Sequence, residues 1–223
     1  SEYLVRRYGA ILRKDVGDVY ILDGIGYVPI THDDFILLLK DDFGENFIHD
    51  NDLKKAIGYI SERKEPVPNI VKFKNTLYDM GEMKPIETNE PLFTLLQIDY
   101  DLNPNAESIL FKRFLETTFK RDTEEKTEQA VKGVFQISGY FFTSGNIYQI
   151  LPIFTGLAGA GKSTFFNIIT AIFGNKKISG VSLQNLEKDS HSGSQFLESH
   201  LNIIRDSDDS MITNNSLIKN LTG

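Results

Sequence analysis

Apolar positions in the first 65 residues change period repeatedly, and each change predicts an element. Tyr3, Leu4 and Tyr8 fall at helical spacing and predict a short helix. Val19-Tyr20-Ile21-Leu22 and Gly26-Tyr27-Val28-Pro29-Ile30, joined by a turn at Asp23-Gly24, predict a small hairpin. Thr31 with Asp34 three positions later forms a capping-box pattern, with Asp in place of the usual Glu. The helix it opens carries Phe35, Leu38 and Leu39 on one face. A second helix is expected to start near Asp50 to Asp52 and to carry Leu53, Ala56, Ile57 and Ile60. The two prolines of Lys64-Glu65-Pro66-Val67-Pro68 break any helix, which closes a small α+β domain at residues 1–65.

Residues 66–147 read as a mostly helical domain. Ile70-Val71-Lys72-Phe73 and Thr76-Leu77-Tyr78-Asp79 predict short strands around a turn, followed by a turn at Gly81-Glu82. Asn103-Pro104 is expected to open a helix bearing Leu110, Phe111, Phe114, Leu115 and Thr118. Asp122 is expected to cap the next helix, in which Val131, Val134 and Phe135 are apolar and Ser138 is a small neighbour. Such aromatic stripes at helical spacing are expected to be core packing and not a cofactor site. The chain has no internal repeat and no low-complexity tract.

The third part, residues 148–223, holds the strongest chemical signal. Ile150-Leu151-Pro152-Ile153-Phe154-Thr155 predicts a strand, with pairing expected to begin after Pro152, which has no N–H to donate. Gly156-Leu157-Ala158-Gly159-Ala160-Gly161-Lys162-Ser163-Thr164 follows and matches the phosphate-binding loop at every defined position. Phe165, Phe166, Ile168, Ile169, Ile172 and Phe173 then recur at helical intervals until Gly174-Asn175 ends the segment. Strand, glycine-rich loop and helix thus stand in the order that phosphate binding needs.

Each residue type in that loop has a physical task. Small residues let backbone N–H groups turn inward around phosphate oxygens, where a larger side chain would obstruct them. The following helix offers its N-terminal donors to the same negative charge. Lys162 is expected to reach the β- and γ-phosphates as a point charge, and Ser163 to place its hydroxyl on Mg²⁺. A carboxylate at the end of another strand is also needed for the metal and its water. Leu201-Asn202-Ile203-Ile204-Arg205-Asp206 predicts such a strand, with Asp206 as the metal-side carboxylate, Asp208 as the reserve for polarising water and Asp209 as a third choice. The competing reading makes these acids a solvated turn with Ser207 and Ser210. Arg205 is unusual in a strand buried on both faces and marks either a subunit surface or a sheet edge.

Composition narrows the classes without changing this site. At 223 residues the chain is long enough for one large domain or two small ones, and 40% hydrophobic with 25% charged residues is ordinary for a globular protein. No apolar run approaches the roughly 20 residues of a membrane-spanning helix. The N-terminal residues lack the basic-then-apolar order of a signal peptide and lack a starting Met, so an excised piece or a processed chain is expected. The absence of Cys excludes disulfides and thiolate metal sites, and an intracellular setting is the default expectation. Residues 1–150 hold 25 acidic and 18 basic side chains, while residues 151–223 hold six of each. That balance argues against a broad basic face for duplex DNA and leaves room for a narrow single-strand channel. His191 and His200 lack a metal-site pattern, and Lys176 with Lys177 reads as a solvated pair at a helix end. No Ser–His–Asp arrangement or glycosidase-like carboxylate pair stands out.

Two further segments carry a resemblance. Asn69-Ile70-Val71-Lys72-Phe73-Lys74-Asn75 through Leu77-Tyr78-Asp79, then Asp99-Tyr100-Asp101-Leu102-Asn103-Pro104, resembles the helical domain before the motor of phage, plasmid and poxvirus-type primase–helicases. The phosphate loop, the Asp206 strand and Lys219-Asn220-Leu221-Thr222-Gly223 resemble the start of a superfamily 3 helicase motor. The N-terminal third is similar through its Tyr20 to Tyr27 hairpin and paired short helices. The resemblance implies an α/β, AAA+-like P-loop NTPase fold, incomplete here, preceded by the helical and small α+β domains. It implies ATP with Mg²⁺ as cofactors, bound between subunits of a ring, usually a hexamer, that translocates on single-stranded DNA in viral, phage or plasmid replication. Asp206 matches the acidic end of the second motif, and Lys219, Thr222 and Gly223 match the opening of a third motif associated with a DNA-contacting hairpin.

This chain departs from the pattern in places. Thr76 follows Asn75 where the family often has Gly, and Ser207 separates Asp206 from Asp208 where the motif commonly has adjacent acids. The family's motor continues past the position of Gly223 into a strand with a polar sensor and later an arginine finger. In that fold the strand lies between the phosphate-loop strand and the Asp206 strand. The expectation is therefore a fragment, or a reduced relative, in which phosphate binding survives and rapid hydrolysis is lost. The alternative reading is a nucleotide-regulated assembly or interaction module without translocation. A small-molecule P-loop kinase fits less well, because none of the residues before the loop forms a recognisable acceptor-binding lid.

Overall fold

The computed structural model describes residues 2–14, 17–44, 50–58, 60, 62–182 and 199–205. The chain divides into two compact units, one running up to Lys72 and including Thr76–Gln97, the other comprising Phe73–Asn75 and the chain from Ile98 onward. The first unit thus includes residues 66–72 and 76–97, beyond the boundary expected at residue 65. Among the described residues, no helix is long and apolar enough to cross a membrane.

In the first unit, α1 (Glu2–Tyr8) leads into β1 (Ile11–Arg13), and the expected hairpin forms as β2 (Val19–Asp23) and β3 (Gly26–Pro29). With β4 (Arg63–Lys64) they make a sheet of order β3-β2-β1-β4, in which only β1 and β4 run parallel. Alternate residues of a strand face opposite sides. Leu12 accordingly joins Leu4, Ala10, Phe35, Leu39 and Ile60 in one buried cluster. Ile11 joins Tyr20, Tyr27 and Phe93 in another.

Phe35 and Leu39 come from α2 (His32–Phe43), which starts where the capping pattern placed it. The Thr31 hydroxyl accepts from the Asp34 backbone N–H at 3.1 Å and donates to the Asp34 carboxylate at 2.6 Å. That local pair satisfies one of the helix's otherwise unpaired N–H groups. α3 (Asp50–Gly58) also forms, and Ile57 packs against the first cluster. At the far end of α2, the Asp42 carboxylate accepts hydrogen bonds from Tyr3 at 2.7 Å, Tyr8 at 2.5 Å and Arg7 at 3.4 Å. The Tyr8 and Tyr3 hydroxyls favour the ionised acid and hold its pKa at about 2. Burial and the same hydrogen bond push the Tyr8 phenol up.

A second sheet of order β7-β6-β5-β8 completes this unit, from β5 (Ile70–Lys72), β6 (Leu77–Asp79), β7 (Lys84–Ile86) and β8 (Leu96–Gln97). Lys72, only 8% exposed, reaches across to Asp23 at 2.8 Å. Its stem runs over Gly26, where a Cβ would sit 3.0 Å from Lys72 Cδ and 3.2 Å from the Leu92 carbonyl. Gly26 is needed for that approach.

The second unit starts with a clasp between segments far apart in sequence. The Asn75 amide donates to the Leu102 carbonyl at 3.0 Å and accepts from the Leu102 N–H at 2.9 Å. Helix α4 (Ile109–Thr118) is capped by Ser108, so it begins later than the Asn103-Pro104 start expected from sequence. Asn103 instead closes a local turn, its side chain accepting from the Asn105 N–H at 3.0 Å. Helix α5 (Glu124–Tyr140) is capped by Thr123, not by the expected Asp122. The Thr123 hydroxyl takes the Lys126 N–H at 3.3 Å, while the Asp122 carboxylate lies 3.9 Å from the Lys126 ammonium. Leu115, Val131 and Val134 are buried as the stripes predict, whereas Leu110 points to solvent and Phe135 is half exposed and packs edge-on against Phe111.

Candidate phosphate-binding loop

The segment before the loop departs from expectation. Residues 150–155 form no strand, and among the described residues none pairs with them. Local chemistry competes with pairing there. The Ile150 N–H is used by the Asn146 side chain at 2.9 Å, and Pro152 has no N–H. Asn146 is itself held by the Tyr140 hydroxyl at 2.8 Å. Phe154 is the inward anchor, with ring centroids 5.1 Å from Phe165 and 5.3 Å from Phe166. Ile147, Tyr148, Ile150, Leu151 and Ile153 remain exposed.

The loop itself is exposed from Gly156 to Ala160 and turns through the Ala160 N–H to Leu157 carbonyl bond at 3.2 Å. Gly159 and Gly161 adopt φ of 77° and 90°, the left-handed region that other residues enter at a cost. Gly161 is also the N-cap of α6 (Lys162–Phe173), and its carbonyl accepts from the Phe165 N–H at 3.0 Å. A Cβ on Gly161 would stand 2.9 Å from Thr118 Oγ1 and 3.2 Å from Phe114 Cε2. Close approach to α4 therefore fixes where the helix N-terminus sits. The Lys162 ammonium folds back over the loop, donating to the Gly156 carbonyl at 2.7 Å and the Leu157 carbonyl at 3.0 Å. Ser163 and Thr164 are exposed on the first turn.

Helix α6 is anchored by Phe165, Ile169 and Phe173, spaced four apart and all buried. Gly174 ends it at φ 82°, and a short 3₁₀ turn at Asn175–Lys177 leads into β9 (Ile178–Ser179). β9 pairs in parallel with β10 (Leu201–Asn202), which is shorter than the strand expected over 201–206, because residues 203–205 leave the ladder. Parallel neighbours require a crossover connection of a dozen or more residues, and residues 180–200 supply that length. The Asn202 amide continues the pairing with a side chain: it accepts from the Val181 N–H at 2.8 Å and donates to the Val181 carbonyl at 2.9 Å. Arg205 is exposed and donates to Asn167 on α6 at 2.7 Å. The chain just before Asp206 is thus tied to the helix that starts at Lys162. Asp206, Asp208, Asp209, Lys219, Thr222, Gly223 and His191 lie outside the described residues.

His200, just before β10, is structural. Its Nε2 lies 2.6 Å from the Phe141 carbonyl, which has no proton, so Nε2 carries one and donates. The ring stacks on Phe173 at 5.4 Å. Burial pushes its pKa down, and the charge of Lys177 adds to that shift. Lys177 is itself half-buried and pushed down by burial, which differs from the expected solvated pair; Lys176 is exposed. The unfolded chain therefore binds a proton at His200 more readily than the folded one. Stability is expected to fall as pH drops through about 6.5, with the loss complete below the folded value. Urea midpoints across that range should show a shallower pH slope in His200→Asn; an unchanged slope would refute the assignment.

The residues present fit a triphosphate with Mg²⁺: left-handed glycines, a helix N-terminus, a cation across the loop and a Ser hydroxyl beside it. Sequence reasoning found these. It missed Phe114 and Thr118 as the surface behind Gly161, and Asn167 as the partner of Arg205, since contacts between residues so far apart leave no periodic signal. No family model matches the chain, and no curated protein matches it either.

Proposed function

We propose that the chain binds Mg²⁺–ATP through Gly156–Thr164 and serves as the ATP-hydrolysing motor of a replicative DNA helicase of viral, phage or plasmid type. The observation that carries the nucleotide reading is the Lys162 ammonium held over the loop by the Gly156 and Leu157 carbonyls, between left-handed glycines at the head of α6. Those carbonyl bonds are replaceable, because phosphate oxygens are stronger acceptors for the same donor. Lys162 would hold the β- and γ-phosphate oxygens, and Ser163 would hold the Mg²⁺. The bound metal supplies charge neutralisation on the phosphates. Asp206 is assigned the metal side, Asp208 the attacking water and Lys219 the DNA contact, on the sequence argument. Hexameric assembly and single-stranded DNA as the track rest on the resemblance.

A second reading, a nucleotide-regulated assembly module, is favoured by the exposed run at Ile147, Tyr148, Ile150, Leu151 and Ile153. Calorimetric titration of Mg²⁺–ATP into the 223-residue chain tests the shared step, and saturable binding is the expected result. Absence of binding by folded protein would overturn both readings. ATPase activity that rises with single-stranded DNA supports the motor. Nucleotide-dependent self-association with no response to DNA supports the module.

A further inference from the structure

An apolar groove of about 510 Å³ lies between α4 and α6. Its lining includes Phe111 and Phe114 from α4 with Thr164, Ile168 and Ile172 from α6, and Ser108 stands at the α4 end. The size falls within the roughly 300–1,000 Å³ of small-molecule sites. Two features join it to the phosphate loop. Thr164 belongs to both, and the Phe114 ring that lines the groove is the one packed on Gly161. The groove then runs along one face of α6 at four-residue spacing, about 12 Å from Thr164 to Ile172 at 1.5 Å per residue.

We infer that this groove receives the purine base of the nucleotide, an assignment that rests on the phosphate-loop reading. Phosphates held at Lys162 and Ser163 leave the rest of the nucleotide to continue past Thr164, and the first surface there is apolar and aromatic. The Phe111 and Phe114 rings lie 20° from parallel with centroids 6.4 Å apart, so the α4 wall offers flat π-surface. Ile168 and Ile172 form the opposite wall. A bicyclic ring covers more of this length than a single pyrimidine ring does. Hydrogen-bonding groups are few and sit at the ends: the Ser108 hydroxyl accepts from the Phe111 N–H at 3.3 Å and keeps its O–H for a ring nitrogen, and Thr164 brings a second hydroxyl. A few polar groups at the edge of an apolar cleft suit a heteroaromatic ring.

The test compares inorganic tripolyphosphate, Mg²⁺–ATP and Mg²⁺–CTP by calorimetry on the 223-residue chain. Base stacking on aromatic side chains is strong enough that ATP should bind roughly tenfold tighter than tripolyphosphate, with CTP between them. Phe114→Leu, which keeps apolar packing on Gly161 but removes the ring, should narrow the gap between ATP and tripolyphosphate. Ile168→Trp, which fills the groove, should abolish the gap while tripolyphosphate affinity stays unchanged. Equal affinity of the unsubstituted chain for ATP and tripolyphosphate would overturn the groove assignment and leave the phosphate loop standing. Equal affinity for ATP and CTP would overturn the purine assignment. No binding of tripolyphosphate or either nucleotide would overturn the phosphate-loop reading, and the groove assignment with it.

Discussion

Mg²⁺–ATP is expected to bind Lys162→Ala roughly 10- to 150-fold more weakly than the unsubstituted chain. Hydrogen bonds to a charged group contribute about 1.5–3 kcal/mol each, and tenfold in affinity corresponds to about 1.4 kcal/mol. The observed change is a difference between two states. In the free protein the ammonium already donates to the Gly156 and Leu157 carbonyls, at 2.7 and 3.0 Å, and nucleotide binding exchanges those acceptors for phosphate oxygens. What the variant loses is the preference of a cation for an anion over a neutral carbonyl. Lys162→Gln, which keeps a neutral donor, should fall between the two. Circular dichroism should match across all three, because the side chain is not part of a buried cluster. Equal ATP affinity in the unsubstituted chain and Lys162→Ala would remove Lys162 from the proposed role.

The largest expected effect on stability comes from Phe165→Ala, a loss of about 3–5 kcal/mol, the usual range for deleting a buried phenyl ring. Phe165 is 1% exposed and meets Phe119 at the end of α4, Phe154 ahead of the loop and Phe166 beside it. It therefore connects the segment that enters the phosphate loop with the helix that leaves it. Removing the ring opens a cavity and frees Phe154, the inward anchor of an otherwise exposed stretch. Phe166 is half-buried, so Phe166→Ala should cost less. Urea unfolding followed by circular dichroism measures both. A loss below about 1 kcal/mol for Phe165→Ala would show that the site collapses around the missing ring.

Elements with strong local signals were legible in the sequence. The β2–β3 hairpin, the Thr31-capped α2 and the four-residue spacing of α6 all form where periodicity and capping placed them. The short strands were not. β1 is buried on both faces and shows no alternation, β4 is only Arg63 and Lys64, and β7 contains Pro85. β1 and β4 pair with each other across about 50 residues, and β7 pairs with the neighbouring β6 although it carries a proline. The reverse error occurred at Ile150–Thr155, where an apolar run implied a strand but Asn146 and Pro152 remove the N–H groups a ladder would use. The turn of the glycine-rich loop into α6 was legible because its constraints are local: glycine where φ is positive, Lys162 and Ser163 where a helix begins. The surfaces around it were not, since the Gly161 contacts with Phe114 and Thr118 depend on how α4 packs.

The Asp42 carboxylate, with its bonds from Tyr3, Arg7 and Tyr8, ties the start of the described chain to the end of α2. A helix of seven residues is too short to persist alone in water. α1 is therefore a product of tertiary contacts, and its lifetime is that of the Asp42 cluster and of Leu4 in the core. Its contacts with Asp42 and the burial of Leu4 oppose fraying from this end. Opening of α1 is therefore expected to be coupled to that of α2, through side chains and not through the helix's own ladder.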